Sequence, residues 1–115
     1  MEKKYEFTKK TKQIGSVTLH RIKALRKFND VKKGDLGGWI EKEYNLSNKD
    51  NAWVSGNARV SENARVSGNA IVSGNARVFE NAIVSGNAWV SEDAKVSGNA
   101  WVSENAIVFR EGYIR

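Results

Sequence analysis

The chain has 115 residues and a formal net charge of +6. Its length suits a single domain, and the lack of cysteine excludes disulfides and thiolate metal sites. No apolar run is long enough to cross a membrane and the first residues lack the apolar region of a signal peptide, so we expect a cytoplasmic protein. Residues 1–50 contain 13 Lys and Arg against 7 Asp and Glu, whereas residues 51–115 contain 6 of each, so the charge favours either an anionic partner or a solubilising basic surface.

The N-terminal residues 1–50 are predicted to form a basic capping segment that is rich in β-strand. Apolar residues predict strands over Tyr5–Phe7 and Val17–Leu25, with a turn near Gly15 and Ser16 between them. Glycines predict two further tight turns, over residues 33–35 and 36–38. The segment therefore contains at least one hairpin before the regular pattern of the second half begins.

The end of this segment already shows the pattern of the repeats that follow. Gly38-Trp39-Ile40 places a small residue two positions before an aliphatic one, and Leu46 follows Ile40 by six residues. We therefore predict a first irregular coil that begins near Gly38 and contains a two-residue insertion around residues 48–50.

From Asn51 onward, the unit Asn-Ala-x-Val-Ser-Gly/Glu recurs every six residues. Alternation within Ala-x-Val puts alanine and valine on one face of a short strand and x on the other. Ser, Gly or Glu, and Asn then form a polar corner, where Asn and Gly tolerate left-handed backbone angles. Because a period of six matches neither an α-helix nor a heptad, residues 51–115 are predicted to form short strands joined by corners.

The outward residues of the hexads indicate how many hexads make one coil. At a spacing of 18 residues, six of seven pairs agree in being basic or apolar, against three of eight at a spacing of 12. We therefore predict three hexads per coil and about three to four coils, with valine and alanine inside a triangular prism. So short a stack buries little surface, and we expect the N-terminal segment to cap it and self-association to stabilise it.

These hexads carry a resemblance to a known family. The chain resembles hexapeptide-repeat left-handed β-helix proteins, and its Gly-Asn-Ala-Arg-Val repeats, with residues 21–26 and 34–41 before them, resemble short repeat proteins of phages and prophages. The resemblance implies an all-β fold, a left-handed parallel β-helix with a small N-terminal β-rich cap, and it supplies the handedness that periodicity does not.

An enzyme must be considered, because hexapeptide-repeat proteins are often acyltransferases in which a histidine acts as general base between subunits. This chain has one histidine, His20, which lies outside the regular repeats, and it has no long loop between hexads to hold a cofactor. Its carboxylates are dispersed at the corners rather than clustered. We therefore expect no catalytic residue, no cofactor and no metal site.

The outward columns supply the candidate binding residues. The candidate anion-binding column is Arg59, Arg77, Lys95 and Tyr113. Like charges about 4.8 Å apart repel, so either corner acids such as Glu62 and Glu80 compensate them or the column binds phosphate or carboxylate groups. The candidate interface residues are the apolar column Trp53, Ile71, Trp89 and Ile107, and the pair Ile83 and Trp101 on a second face. We expect either that the N-terminal segment covers these apolar residues or that they form the interface of a homodimer or homotrimer.

Taken together, these features predict a non-enzymatic binding protein, a phage-encoded inhibitor that sequesters or blocks a host defence factor. Its ligand would be a host protein or an anionic nucleotide signal, and extended nucleic acid is disfavoured because the basic strip is short. Two alternatives remain open: a degenerate hexapeptide acyltransferase relative and a structural oligomerisation module.

Overall fold

Stacked coils of very short strands form the body of the protein. The computed structural model describes residues 3–109 and 113–114, with the side chain of Tyr113 outside the description. In those ranges the chain is all-β apart from a 3₁₀ turn at Glu43–Asn45, and no helix there is long and apolar enough to cross a membrane. The strands are β1 (Tyr5–Ile14), β2 (Val17–Ala24), β3 (Leu36–Ile40), β4 (Trp53–Val54), β5 (Arg59–Val60), β6 (Arg65–Val66), β7 (Ile71–Val72), β8 (Arg77–Val78), β9 (Ile83–Val84), β10 (Trp89–Val90), β11 (Lys95–Val96), β12 (Trp101–Val102), β13 (Ile107–Val108) and β14 (Tyr113–Ile114).

Three parallel sheets form the three sides of the coils. The first contains β3, β5, β8, β11 and β14, the second β4, β7, β10 and β13, and the third β6, β9 and β12. Paired residues in successive regular coils are 18 positions apart, as Trp53 with Ile71 and Arg59 with Arg77 show. The prediction of a parallel β-helix with three hexads per coil is confirmed, and the helix makes about four turns. Its left-handedness stays a prediction.

Valine and alanine side chains fill the interior of the coils. The repeat valines from Val54 to Val96 are at most 1% exposed, and burying one valine side chain contributes roughly 1.5–3 kcal/mol. At the corners, Gly or Glu adopts the left-handed region, with φ of +64° at Gly74 and +61° at Glu80. The corners therefore turn the chain sharply while the strands between them stay in register.

The first coil is irregular, as predicted. Trp39 pairs with Arg59 and Leu46 bridges to Val66, each across 20 residues rather than 18. Trp53, the next outward residue, is already in the regular register with Ile71. The two extra residues therefore lie between Leu46 and Trp53, which confirms the predicted insertion.

Two predictions about the N-terminal segment are corrected. Residues 36–38 are not a turn but part of β3. Glycine is needed at positions 37 and 38 because the backbone of β3 lies close to the backbone of the next coil. A Cβ on Gly37 would lie 2.6 Å from the carbonyl oxygen of Val54, and one on Gly38 would lie 2.7 Å from that of Ala58. Strand β1 also extends to Ile14 rather than ending at Phe7, because it pairs with β2 again from Thr11 onward, after an irregularity between Phe7 and Thr11.

The N-terminal residues close the open end of the first coil. Strands β1 and β2 extend the first sheet beyond β3, and Tyr5 and Ile22 belong to the same buried cluster as the repeat valines. Lys4 is also fully buried, and its Nζ donates to the backbone carbonyl groups of Asp50 and Ala52. The cap thus supplies a donor to carbonyl groups at the end of the stack, where unpaired backbone is costly.

Burial changes the acid–base behaviour of two cap residues. Desolvation lowers the pKa of the Lys4 ammonium from 10.5 to about 8; the carboxylate of Asp50, 3.8 Å away, opposes this, and the positive charge of Arg26 adds to it. Desolvation, and secondarily the charge of Glu43, raises the pKa of the Tyr5 hydroxyl above its usual range. Both shifts make stability depend on pH.

We expect the thermal midpoint to rise between pH 8 and 10 and to fall at higher pH. Between pH 8 and 10.5 the folded state binds fewer protons at Lys4 than the unfolded state, so stability increases with pH. Above pH 10.0 only the unfolded state releases the Tyr5 proton readily, so stability decreases. Thermal unfolding of Lys4→Met should lack the rise, and that of Tyr5→Phe should lack the fall. A rise that persists in Lys4→Met would contradict this assignment.

We also expect Val78→Thr to destabilise the fold by about 1–3 kcal/mol, because it places a hydroxyl among buried apolar groups without changing the side chain's shape. Val78 is 0% exposed and stacks between Val60 and Val96. The control is Lys95→Thr, at an exposed position of the next coil, where a change within about 0.5 kcal/mol is expected. Urea unfolding measures both. Equal effects would show that valine does not face a dry interior.

Candidate functional site

The predicted basic column lies on the outward side of the first sheet, which we call the basic face. Arg59, Arg77, Lys95 and Tyr113 are in-register neighbours in successive coils. The ion pairs within the described part of the chain join other residues, so the corner acids do not pair with the column. Burial, and then the charge of Arg77, lowers the pKa of Arg59. The positive charges of the column are therefore not neutralised by direct contacts.

The carboxylates of Glu80 and Glu41 instead bind backbone groups. The Glu80 carboxylate accepts a hydrogen bond of 3.1 Å from the backbone N–H of Gly98. The backbone N–H of Glu62 donates to the carboxylate of Glu41 at 2.6 Å. These contacts connect adjacent coils at a corner of the prism, which gives the carboxylates of Glu41 and Glu80 a structural role there rather than a pairing with arginine.

The N-terminal hairpin adds further cations to the basic face. Trp39 lies in the same column as Arg59, one coil earlier. The ammonium of Lys12 lies 4.5 Å from the centroid of the Trp39 ring, and the guanidinium of Arg21 lies 5.5 Å from it. Both cations thus contact the indole face. The sequence placed neither residue near the column, because their positions depend on how β1 and β2 fold against β3.

Lys12 and the arginines border an open groove of about 420 Å³ on the basic face. We call it the polar groove, and its lining residues are Lys12, Asn57, Arg59, Asn75, Arg77 and Asp93. Lys95, which was predicted to belong to the same site, is not among them, and the side chain of Tyr113 lies outside the described residues. Of the predicted anion-binding residues, Arg59 and Arg77 therefore line this groove, together with a lysine of the hairpin and side chains from one edge of the prism.

A second groove, of about 270 Å³, lies on the other side of the same two arginines. We call it the apolar groove. Besides Arg59 and Arg77 it is lined by Ile14, Val17, Leu19, Ser61, Glu62 and Phe79. The first three belong to the hairpin, so the tip of β1 and β2 forms one wall and a corner of the coils forms the other.

Two lining residues that the sequence analysis missed interrupt the repeat. Between Asn51 and Val108 the hexads keep Asn, Ala, Val and Ser at their fixed positions, except that Phe79 replaces a serine and Asp93 replaces an asparagine. Phe79 lines the apolar groove and Asp93 lines the polar groove. Departures from the repeat were therefore the signal in the sequence that would have located these residues.

The predicted apolar column forms the outward side of the second sheet, which we call the apolar face. Its four residues Trp53, Ile71, Trp89 and Ile107 are in register. Trp53 is only 5% exposed because Phe28 packs edge-on against it at 5.2 Å between ring centroids. Trp89 and Ile107 are 50% and 62% exposed. The N-terminal segment therefore covers the start of this face and leaves its other end open.

The third sheet has a mixed outward side. Ile83 and Trp101 are neighbours there, as predicted. Trp101 is 69% exposed, and its indole N–H lies 3.5 Å from the hydroxyl of Ser85. Arg65, one coil before Ile83, lies over the ring of Tyr44 at 5.3 Å. This side therefore combines one exposed tryptophan with a charged residue that already has an aromatic contact.

The single histidine is engaged in a contact within the cap. The ring of His20 stacks on Phe7 with 4.4 Å between centroids and an interplanar angle of 5°. Strand β2 places it opposite Ile40 of β3, away from both grooves. Across residues 3–109 and 113–114, no three His, Asp or Glu side chains come together in a way that could hold a metal ion.

Comparison with known proteins gives matches to the repeats. Residues 64–78, 70–86 and 76–92 match the family described as YdcK Beta solenoid repeat. A relative from Escherichia coli (strain K12), named as an uncharacterized acetyltransferase YdcK, is 36% identical over 59 residues, which cover 40% of this chain and 18% of that protein. The chain thus spans less than a fifth of the length of the curated relative it matches. The matched hexads and the stacked parallel coils together show that this is a repeat β-solenoid protein.

Proposed function

We propose that this chain is a non-enzymatic binding protein whose basic face binds an anionic ligand. The observation that carries the proposal is the pair Arg59 and Arg77, adjacent in successive coils with no carboxylate in ion-pairing distance in the described ranges. Two guanidinium groups in this arrangement repel each other. A phosphate or carboxylate between them would remove that repulsion and accept hydrogen bonds from both.

The scaffold supports binding because it holds the arginine backbones rigidly. The backbone N–H of Arg59 donates to Ala76 at 2.9 Å, and that of Arg77 donates to Ala94 at 3.0 Å. Only the side chains must be ordered when a ligand arrives, so the entropic cost of binding is small compared with that of ordering a loop.

For the biological role, we propose an anti-defence inhibitor that is encoded by a phage and acts in the host cytoplasm. It would sequester an anionic nucleotide signal or block a host protein. The proposal is supported by the resemblance of the Gly-Asn-Ala-Arg-Val repeats to those of phage and prophage proteins. It is also consistent with His20, whose stacking on Phe7 suits a structural role better than general base chemistry. An inhibitor of this kind needs a binding face and no reacting group.

An acyltransferase relative is the second candidate, because the matched Escherichia coli protein is named an acetyltransferase. Under this alternative the repeats would be the shared scaffold and acetyl-CoA would be the ligand. A structural oligomerisation module is the third candidate, and it would bind none of these small molecules.

A thermal-shift screen with cyclic dinucleotides, ADP-ribose and acetyl-CoA separates these candidates. We expect at least one nucleotide without an acyl group to raise the thermal midpoint, because bound ligand stabilises only the folded state. The double variant Arg59→Gln/Arg77→Gln should lose the shift. The matched control is Arg65→Gln, which removes an arginine from the mixed side, and it should keep the shift. Stabilisation by acetyl-CoA alone, unaffected by the double variant, would favour the acyltransferase relative, and no shift with any probe would contradict a small anionic ligand.

We further propose that the exposed end of the apolar face joins copies of this chain into a homodimer or homotrimer. Exposed tryptophan is a strong anchor in protein interfaces, and Trp89 and Ile107 are adjacent there. Trp89→Arg should therefore reduce the mass measured by sedimentation to that of the monomer. Trp101→Arg makes the same change on the mixed side and should leave the mass unaltered. An unchanged mass for Trp89→Arg would exclude this face as the interface.

A further inference from the structure

The polar and apolar grooves share Arg59 and Arg77 as lining residues and flank this pair on the basic face, so one ligand that spans both grooves would contact both arginines; we call the two grooves together the cleft. One end of the cleft is lined by charged and amide side chains, and the other end is lined by the hairpin tip and Phe79, with Ser61 and Glu62 at the corner of the coils. Clefts that bind small molecules commonly combine an apolar wall with a few polar groups that orient the ligand. This cleft separates the two kinds of group at its two ends, which suits a ligand with one anionic end and one apolar end.

The charges at the polar end match those of a phosphate monoester. Lys12, Arg59 and Arg77 contribute three positive charges and Asp93 one negative charge, a net of +2. A phosphate monoester carries about two negative charges at neutral pH. The polar end therefore neutralises one terminal phosphate. A second phosphate placed beside Asp93 would meet a carboxylate of the same sign.

The amides at the polar end are available to a ligand. At the other two edges of the prism, asparagines in successive coils bond to each other, as Asn63 does to Asn81 and Asn69 to Asn87, both at 3.2 Å. No such bond joins Asn57 to Asn75 in the described part of the chain. Their amide groups can therefore donate to phosphate or ribose oxygens, and the Asp93 carboxylate can accept from a ribose hydroxyl.

The apolar end suits a planar ring. Phe79 stands where the neighbouring coils carry Ser61 and Ser97, and it adds an aromatic side chain to an otherwise polar corner. Leu19 and Ile14 of the hairpin line the same end. A base placed there can stack on an aromatic ring or on a guanidinium plane, a contact that tolerates any base.

We infer that this cleft binds a nucleoside monophosphate, with the phosphate between Lys12, Arg59 and Arg77 and the base against Phe79. The inference rests on the proposed anion-binding function and adds the ligand class and its orientation. It assigns separate roles to the two ends: the cations provide the attraction to phosphate, and Phe79 distinguishes a nucleotide from other phosphate esters.

Titration calorimetry with adenosine 5′-monophosphate, adenosine, inorganic phosphate and butyl phosphate tests the inference on the full chain. We expect the nucleotide to bind more tightly than each of the other three probes. Adenosine lacks the phosphate, inorganic phosphate lacks the base, and butyl phosphate carries an alkyl chain in place of the nucleoside. Phe79→Ser restores the residue that the repeat carries at this position, so the variant is compatible with the fold. It should weaken nucleotide binding about fivefold or more and leave phosphate binding unchanged.

Two further variants serve as controls. Phe109→Ser makes the same change at the other phenylalanine that replaces a repeat serine, outside the cleft, and should bind the nucleotide as the wild type does. Arg77→Gln should weaken the nucleotide and inorganic phosphate alike, by roughly tenfold or more.

The outcomes separate this inference from the proposed function. If phosphate-bearing probes bind through Arg77 but Phe79→Ser has no effect, or butyl phosphate binds as tightly as the nucleotide, the base-binding role is overturned and an anion-binding face remains. If none of the four probes binds, the inference is overturned, and the proposed function then depends on the separate screen with larger nucleotides.

Discussion

Hydrogen bonds between the backbones of successive coils are the constraint on which the other features of this protein depend. They keep repeat positions 18 residues apart in register, so Arg59 pairs with Arg77 and Trp53 with Ile71. Valine and alanine can then close a dry interior, and each outward side chain lies about 4.8 Å from the next in its column. Residues of one kind therefore form columns. The arginines of one column repel each other on the basic face, and the apolar column leaves tryptophan exposed on the apolar face.

The N-terminal hairpin links stability to the candidate site. Its base closes the first coil, where Lys4 donates to carbonyl groups that have no preceding coil to pair with. Its tip lies beside the basic face, where Lys12 and Leu19 become walls of the two grooves. The same antiparallel pairing of β2 with β3 therefore caps the core and turns a flat basic strip into a cleft.

Repetition explains which part of the site could be predicted. Arg59 and Arg77 were identified because the column follows directly from the period of the hexads. Lys12 was missed because its position depends on a contact between distant segments. Phe79 and Asp93 were missed because they depart from the repeat, whereas the predicted columns consist of positions that the repeats define. In this repeat protein the shared residues build the scaffold, and the residues that interrupt the repeat line the candidate site.

The sequence by itself determined the all-β coil, the three sides, the irregular first turn and the composition of each column, because all of these follow from local alternation and a fixed period. Only the tertiary structure decided which outward residues remain accessible. Trp53 and Trp89 occupy equivalent positions, yet Trp53 is 5% exposed and Trp89 is 50% exposed, because Phe28 packs against the first alone. Likewise, residues 36–38 contain the glycines of a turn but form a strand, since only a residue without Cβ fits between the hairpin and the first coil. Contacts between the cap and the coils join residues far apart in the chain, and no local pattern encodes them.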